Sequence, residues 1–185
     1  MFDYYMAVTN RHLCRGDFLE QIEKITSYSL QSIILREKDL SPAAYEALAR
    51  DVLEICRINE AVCTIHTHVE IARRLHCSRI HLPLSDLRKW SGQLTHFSAV
   101  GTSCHSLEEV LEAQRLGATY ATLGNIFPTT CKPGLPGKGL DFLQKVCQSC
   151  DLPIYAIGGV NPGNIASVLD AGAVGGCMMS VFMLL

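Results

Sequence analysis

Eight short apolar runs recur along this chain with longer amphipathic stretches between them, and that alternation limits its folds more than any other feature. The runs are Tyr4–Val8, Ser32–Leu35, Val62–Ile65, Arg79–Leu82, Ser98–Gly101, Tyr120–Leu123, Ile154–Ile157 and Gly175–Met179. They are short and bounded by turn residues, as strands covered on both faces are. The stretches between them read as helices. Asp17–Ser29 carries apolar residues at Phe18, Ile22 and Ile25. Pro42–Ile58 has Ser41 as N-cap and Pro42 at its first position. Ser106–Leu116 opens with a capping box from Ser106 to Glu109. A fourth helix starts at Asn161–Pro162 and runs to Asp170.

Strands and helices in strict alternation predict a parallel sheet, and eight strands are the number that closes it into a (β/α)₈ barrel of the α/β class. A doubly wound open sheet competes, but it carries a Gly-rich turn after its first strand and Val8–Arg15 has none. The 185 residues give one domain, 1–185. Only Val181–Leu185 follow the eighth run, so the barrel is expected to lack its last helix and to leave an apolar face for a second copy, a possible homodimer.

Composition excludes several classes of function. Net charge is -2 with no basic run, which gives no footprint for nucleic acid. No apolar stretch approaches the roughly 20 residues that span a bilayer, and Met1–Thr9 has no secretory pattern. The nine cysteines are irregularly spaced and several sit in apolar runs, which points to reduced thiols and a cytoplasmic setting. Cys147 and Cys150 form a C-x-x-C without a second pair and read as helix-surface residues.

Chemistry concentrates where barrel ligands bind, after the strands. Gly158-Gly159 follow the seventh run and Met179-Ser180 close the eighth. Glycines there let backbone N–H groups approach a ligand, and a helix start adds positive partial charge, so a phosphate group is the expected occupant. Arg36 and Lys38 follow the second run, and strand alternation turns both to one side. The Gly/Pro-rich segment Gly124–Gly139 reads as a long active-site loop with hydroxyls and two lysines. His66 and His68 end the third run on one face, a candidate metal pair. His81 reads as a hydrogen-bonded core residue, His105 as a base or a turn residue, and His12, His76 and His96 as surface positions.

The ordered set Leu35-Arg36-Glu37-Lys38, Ile80-His81-Leu82-Pro83, Thr102-Ser103-Cys104-His105-Ser106, Gly124–Lys132 and Ala156–Val160 resembles the thiamin phosphate synthase/TenI family over nearly the whole chain. The resemblance implies one of two activities. A synthase joins hydroxymethylpyrimidine diphosphate to a thiazole phosphate, with Mg²⁺ and loss of diphosphate. Arg36, Lys38, Ser103, Thr129 and Lys132 would then hold the diphosphate, and Gly159 and Ser180 the thiazole phosphate. Against that pattern, Ile34 stands where the synthase has Gln, and His66-Thr67 replace its Asn-Asp pair, while Asp86 matches the other acidic metal position.

The TenI branch is more similar in Thr129–Leu135 and Gly137-Lys138-Gly139. It comprises thiazole tautomerases, which aromatise a carboxythiazole phosphate by moving a proton without any cofactor. Their His after the sixth strand corresponds to Asn125, so the candidate proton carriers are His66, His105 or the substrate carboxylate itself. The expected activity is therefore a TenI-like thiazole tautomerase, with thiamin phosphate synthase (requiring Mg²⁺) as the alternative. A catalytically lapsed barrel that binds a phosphate ligand is the third reading.

Overall fold

All eight runs become strands in the computed structural model, which describes residues 4–129 and 134–185. They are β1 (Tyr5–Val8), β2 (Ser32–Leu35), β3 (Cys63–His66), β4 (Arg79–Pro83), β5 (Ala99–Cys104), β6 (Tyr120–Gly124), β7 (Ile154–Ile157) and β8 (Gly175–Met178). Each pairs in parallel with the next, and β8 returns to β1 through Met6 opposite Cys177. The sheet is a closed (β/α)₈ barrel. β3 starts and ends one residue later than expected, and β5 extends to Cys104.

Alternation sorts the side chains into two layers. Met6, Val8, Ile34, Tyr120 and Cys177 fill the inside of the barrel. Ala7, Ile33, Leu35, Ile65, Ile80 and Leu82 face outward into a belt shared with the helices. From α1 (Phe18–Thr26) Ile22 and Ile25 complete that belt, and each such side chain contributes about 1.5–3 kcal/mol by leaving water. Asp17 caps α1 by accepting from the amides of Leu19 and Glu20, and Ser41 caps α2 (Pro42–Ile58) through the amide of Ala44.

One side chain from α2 ties two strands together. The Tyr45 hydroxyl donates to the Leu35 carbonyl at 2.6 Å and accepts from the His66 amide at 3.1 Å. Tyr45 is fully buried, so no water can replace it. Tyr45→Phe will therefore cost about 1–3 kcal/mol in urea unfolding. A change within about 0.5 kcal/mol, as for surface substitutions, would contradict this bridge.

The remaining helices are α3 (Val69–Arg74), α4 (Leu84–Trp90), α5 (Leu107–Arg115), α6 (Gly139–Gln148), α7 (Ile165–Asp170) and α8 (Ser180–Met183). Three expectations need correction. The capping box at α5 is only half formed. Ser106 accepts from the Glu109 amide, but the Glu109 carboxylate takes the amide of His105 instead of that of Ser106. α7 begins at Ile165 because Asn161–Asn164 close on themselves: the Asn161 side chain accepts from the Gly163 amide, and the Asn164 side chain from the Asn161 amide. The last helix is not missing. A single turn, α8, buries Phe182 and Met183 within the chain itself, leaving Leu184 and Leu185 exposed. Four residues are too few to show a helical period. No helix among the described residues is long and apolar enough to cross a membrane.

Candidate active site

The strands deliver their ends to one pocket of about 480 Å³ at the C-terminal mouth of the barrel. That volume lies in the range of small-molecule sites. Of the residues expected to act there, Arg36, Lys38, His66, Ser103, His105, Asn125, Thr129, Gly158, Gly159, Met179 and Ser180 all line it. Lys132 lies outside the described residues, and Asp86 is elsewhere.

Two sets of cationic or hydrogen-bond-donating groups stand in this pocket. The first follows β2. Glu37 turns away from the pocket and is buried, accepting from the Thr9 hydroxyl at 2.7 Å and from the amide and guanidinium of Arg11 at 3.1 Å. The Thr9 hydroxyl in turn accepts from the Arg36 amide at 2.9 Å. This clasp fixes the alternation that puts Arg36 and Lys38 on the pocket side. Burial, and then the neighbouring Arg36, pushes the Lys38 ammonium below its ordinary pKa. Two cations held side by side at a ligand-sized cavity call for an anion.

The second set follows β7 and β8. Gly158 and Gly159 both have positive φ, +90° and +69°. Side chains are excluded as well: a Cβ on Gly158 would lie 2.4 Å from the Asn125 Cβ, and one on Gly159 2.5 Å from the Pro128 carbonyl. The glycines therefore serve packing against the segment after β6 as well as ligand access. The carbonyls of both are taken, Gly158 by the Phe127 amide and Gly159 by the Asn161 and Asn164 side chains. The amides of Gly158, Gly159, Val160 and Met179 donate to nothing among the described residues. These free amides and the Ser180 hydroxyl surround one pocket, an arrangement of donors without acceptors. Because α7 starts late, its N-terminus adds nothing at Gly159.

Between the two sets lies a polar floor. His66 and His81 are buried with rings stacked 5.9 Å apart. Burial first, and then His81, Arg36 and Lys38, pushes the His66 imidazole down to about 2. Burial and then Arg36 pushes His81 down to about 3. Both are neutral at physiological pH. The His66 Nδ1 meets the Thr67 hydroxyl at 2.7 Å.

Several expectations change here. His66 and His68 are not a metal pair. Thr67 has φ +69°, which breaks the strand, so His66 enters the central pocket while His68 packs against Tyr45, ring centroids 4.2 Å apart and tilted by 42°, and lines a separate recess. His105 is half-exposed at the rim, 3.4 Å from Glu109. Asn125 is buried, and its amide group donates to the carbonyls of Phe127 and Pro136, clasping the loop. Lys138, the described lysine of that loop, donates to the His105 carbonyl and does not line the pocket. Burial raises the Cys147 thiol to about 11, and Cys147 and Cys150 are free. Sequence reasoning also missed His81 and Thr122 as pocket residues. Their odd–even match with Ser103 and Arg36 along successive strands was the available signal.

The donors do not fit a resident Mg²⁺. Among the described residues the one carboxylate lining the central pocket is Glu109, which holds the His105 amide. Thr67 and Asp86 both line the separate recess, along with the cations Arg74 and Lys89. A hydroxyl already bonded to His66 and one carboxylate make a poor set for a hard cation. Among the described residues no three His, Cys, Asp or Glu side chains converge on a metal position.

Comparison with known proteins agrees with the barrel fold. A family described as thiamine monophosphate synthase matches residues 5–182. The thiamine-phosphate synthase of Fusobacterium nucleatum is 31% identical over 176 residues, covering 94% of this chain and 85% of that protein. A putative thiamine-phosphate synthase 2 of Aquifex aeolicus is 32% identical, covering 96% of both. Among solved structures, the thiamine phosphate pyrophosphorylase of Pyrococcus furiosus superposes with a TM-score of 0.82 at 25% identity, over 98% of this chain and 87% of that one.

Proposed function

The chain belongs to the thiamine monophosphate synthase family, and from that premise we propose that it is a thiamin-biosynthesis transferase joining a pyrimidine diphosphate to a thiazole phosphate. The observation that carries the reading is the pair of anion-binding sets in one pocket, Arg36 with Lys38 and the Gly158–Val160 amides with Ser180. The cradle holds the phosphate that stays with the thiazole. The cations hold the diphosphate that leaves. In the reaction the bond between the pyrimidine methylene carbon and the diphosphate oxygen breaks, and its electron pair leaves with the diphosphate. The thiazole nitrogen supplies the pair for the new carbon–nitrogen bond. Arg36 and Lys38 stabilise charge where it accumulates, and the polar pocket between the sets orients the two rings.

A second reading, the thiazole tautomerase, is favoured by one observation: the carboxylate expected at a metal position lies in another recess, while the pocket floor carries a neutral imidazole, His66. There the substrate carboxylate would occupy the Arg36–Lys38 set, and because burial keeps the His66 imidazole from taking up a proton, the half-exposed His105 or the substrate carboxylate would carry it. Both readings take small phosphate-bearing molecules. They also suit a cytoplasmic setting, supported by the eight free cysteines described, and a homodimer through the exposed Leu184 and Leu185.

The test is to give the purified protein thiazole phosphate with pyrimidine diphosphate, and separately the carboxythiazole phosphate tautomer, each with and without Mg²⁺. Diphosphate release is the expected result. Aromatisation without diphosphate release would replace the transferase by the tautomerase. Binding with neither reaction would leave a ligand-binding barrel.

A further inference from the structure

His81 is used by neither reaction above, yet its two ring nitrogens make the most directional contacts in the pocket. Nε2 lies 2.9 Å from the Ser103 hydroxyl, and Nδ1 lies 3.1 Å from the Tyr120 hydroxyl. Tyr120 is buried, and among the described residues its phenol has no other hydrogen-bonding partner. A buried O–H left without an acceptor is costly, so the phenol donates to Nδ1. That forces His81 into the Nε2–H tautomer, which donates to Ser103. Thr122 donates to the same Ser103 oxygen at 3.4 Å. Both lone pairs of that oxygen are then occupied, and its hydrogen is left to point at the pocket.

We propose that Tyr120 and His81 are positioning residues that fix the Ser103 hydroxyl as a donor to an anionic oxygen of the bound substrate. No atom or electron changes hands. The chain acts as a preorganised dipole, and successive donors polarise one another in the same direction. On the transferase reading, on which this inference rests, the acceptor is a diphosphate oxygen, in a pocket whose carboxylates do not provide for a metal there.

Two further observations fit. Burial raises the Tyr120 hydroxyl above its ordinary pKa and lowers His81, so the phenol keeps its proton and the imidazole carries only one. Gly101 makes room for the arrangement. A Cβ there would fall 2.0 Å from the Tyr120 Cζ and 2.3 Å from its hydroxyl oxygen, so any other residue would drive the phenol away from His81.

The experiment reads the tautomer and the consequence separately. Nitrogen-15 NMR of the full chain, with His81 assigned by His81→Gln, gives the protonated ring nitrogen directly. The expected result is a neutral Nε2–H imidazole from pH 8 to pH 5, with the Nδ1 resonance displaced in Tyr120→Phe, which keeps the ring packing but removes the hydrogen bond to that nitrogen. Inorganic diphosphate titration then measures the donor. Ser103→Ala should lose about tenfold to a hundredfold in affinity, the range for a hydrogen bond to a charged group. Tyr120→Phe should lose part of that. His81→Gln should retain most of the affinity, because its amide can accept from Tyr120 and donate to Ser103. His81→Leu should match Ser103→Ala. An Nδ1–H tautomer in the unmodified protein, or diphosphate affinity unchanged in both Tyr120→Phe and Ser103→Ala, would overturn the proposal. The proposed reaction fails on a different readout: no diphosphate release from substrates, with the Nε2–H tautomer in place and diphosphate bound, sinks the transferase and supports this donor chain.

Discussion

Between pH 8 and pH 5 the protein will lose about 4 kcal/mol of folding stability through His66 and His81 alone. In the unfolded chain both imidazoles take up protons as pH falls below 6.5, their ordinary value. In the folded chain they stay neutral down to about 2 and about 3. The unfolded state therefore binds more protons, and stability falls as pH falls. The contribution is fully present above 6.5 and is lost progressively toward about 3 for His81 and about 2 for His66. At pH 5 each histidine sits about 1.5 units below its unfolded value, worth about 2 kcal/mol apiece at 1.36 kcal/mol per unit. Urea unfolding at the two pH values measures the drop, and His66→Gln with His81→Gln isolates the two imidazoles. The double variant should show a drop smaller by about 4 kcal/mol, whatever its absolute stability. Carboxylates such as Asp39 and Glu46, also held below their ordinary range by cationic neighbours, act with the same sign and remain in both proteins. Equal drops in the two proteins would mean the imidazoles are not buried neutral.

The second large effect lies in the rate. Replacing both cations, Arg36→Ala with Lys38→Ala, should slow diphosphate release by about a thousandfold or more. Each charge-assisted hydrogen bond is worth about 1.5–3 kcal/mol, and every 1.4 kcal/mol is tenfold. Thiazole phosphate affinity should stay within a few fold, because the cradle after β7 and β8 is a separate set of groups. Equal loss of both would mean the two sets are one site. Glu37→Ala is the structural control. It leaves Arg36 and Lys38 in place but removes the acceptor of Thr9 and Arg11, so it should lower stability and rate together.

Much of this molecule is readable from the chain, and the failures have local causes. Runs such as Ser32–Leu35 and Ile154–Ile157 match their strands because each is packed on both faces, which makes it mostly apolar. Caps at Asp17 and Ser41 are visible because the polar side chain stands next to the amides it serves. The Arg36/Glu37/Lys38 alternation holds because Glu37 has a buried partner set to anchor it. The His66/His68 pairing fails because one residue, Thr67, takes a left-handed backbone that no composition rule announces. α7 starts late because asparagine side chains compete for the amides that would open the helix. α8 is invisible because one turn has no period. His81 reads as a core residue when taken alone. Its meaning depends on Tyr120, 39 residues away, and on Ser103, 22 residues away, which only closure of the barrel brings together.

The proposed phosphate site is formed by Gly158, Gly159, Val160, Met179 and Ser180. Ser180 is exposed at the pocket, so Ser180→Asp changes charge there without disturbing the core. Calorimetric titration of thiazole phosphate into the unmodified protein and into Ser180→Asp is the measurement. A carboxylate about 4 Å from the phosphate opposes it by about 1–4 kcal/mol, depending on how far water screens the pair. The prediction is a loss of affinity on the order of a hundredfold with unfolding unchanged. Thiazole phosphate bound equally well by both proteins would contradict the phosphate site itself.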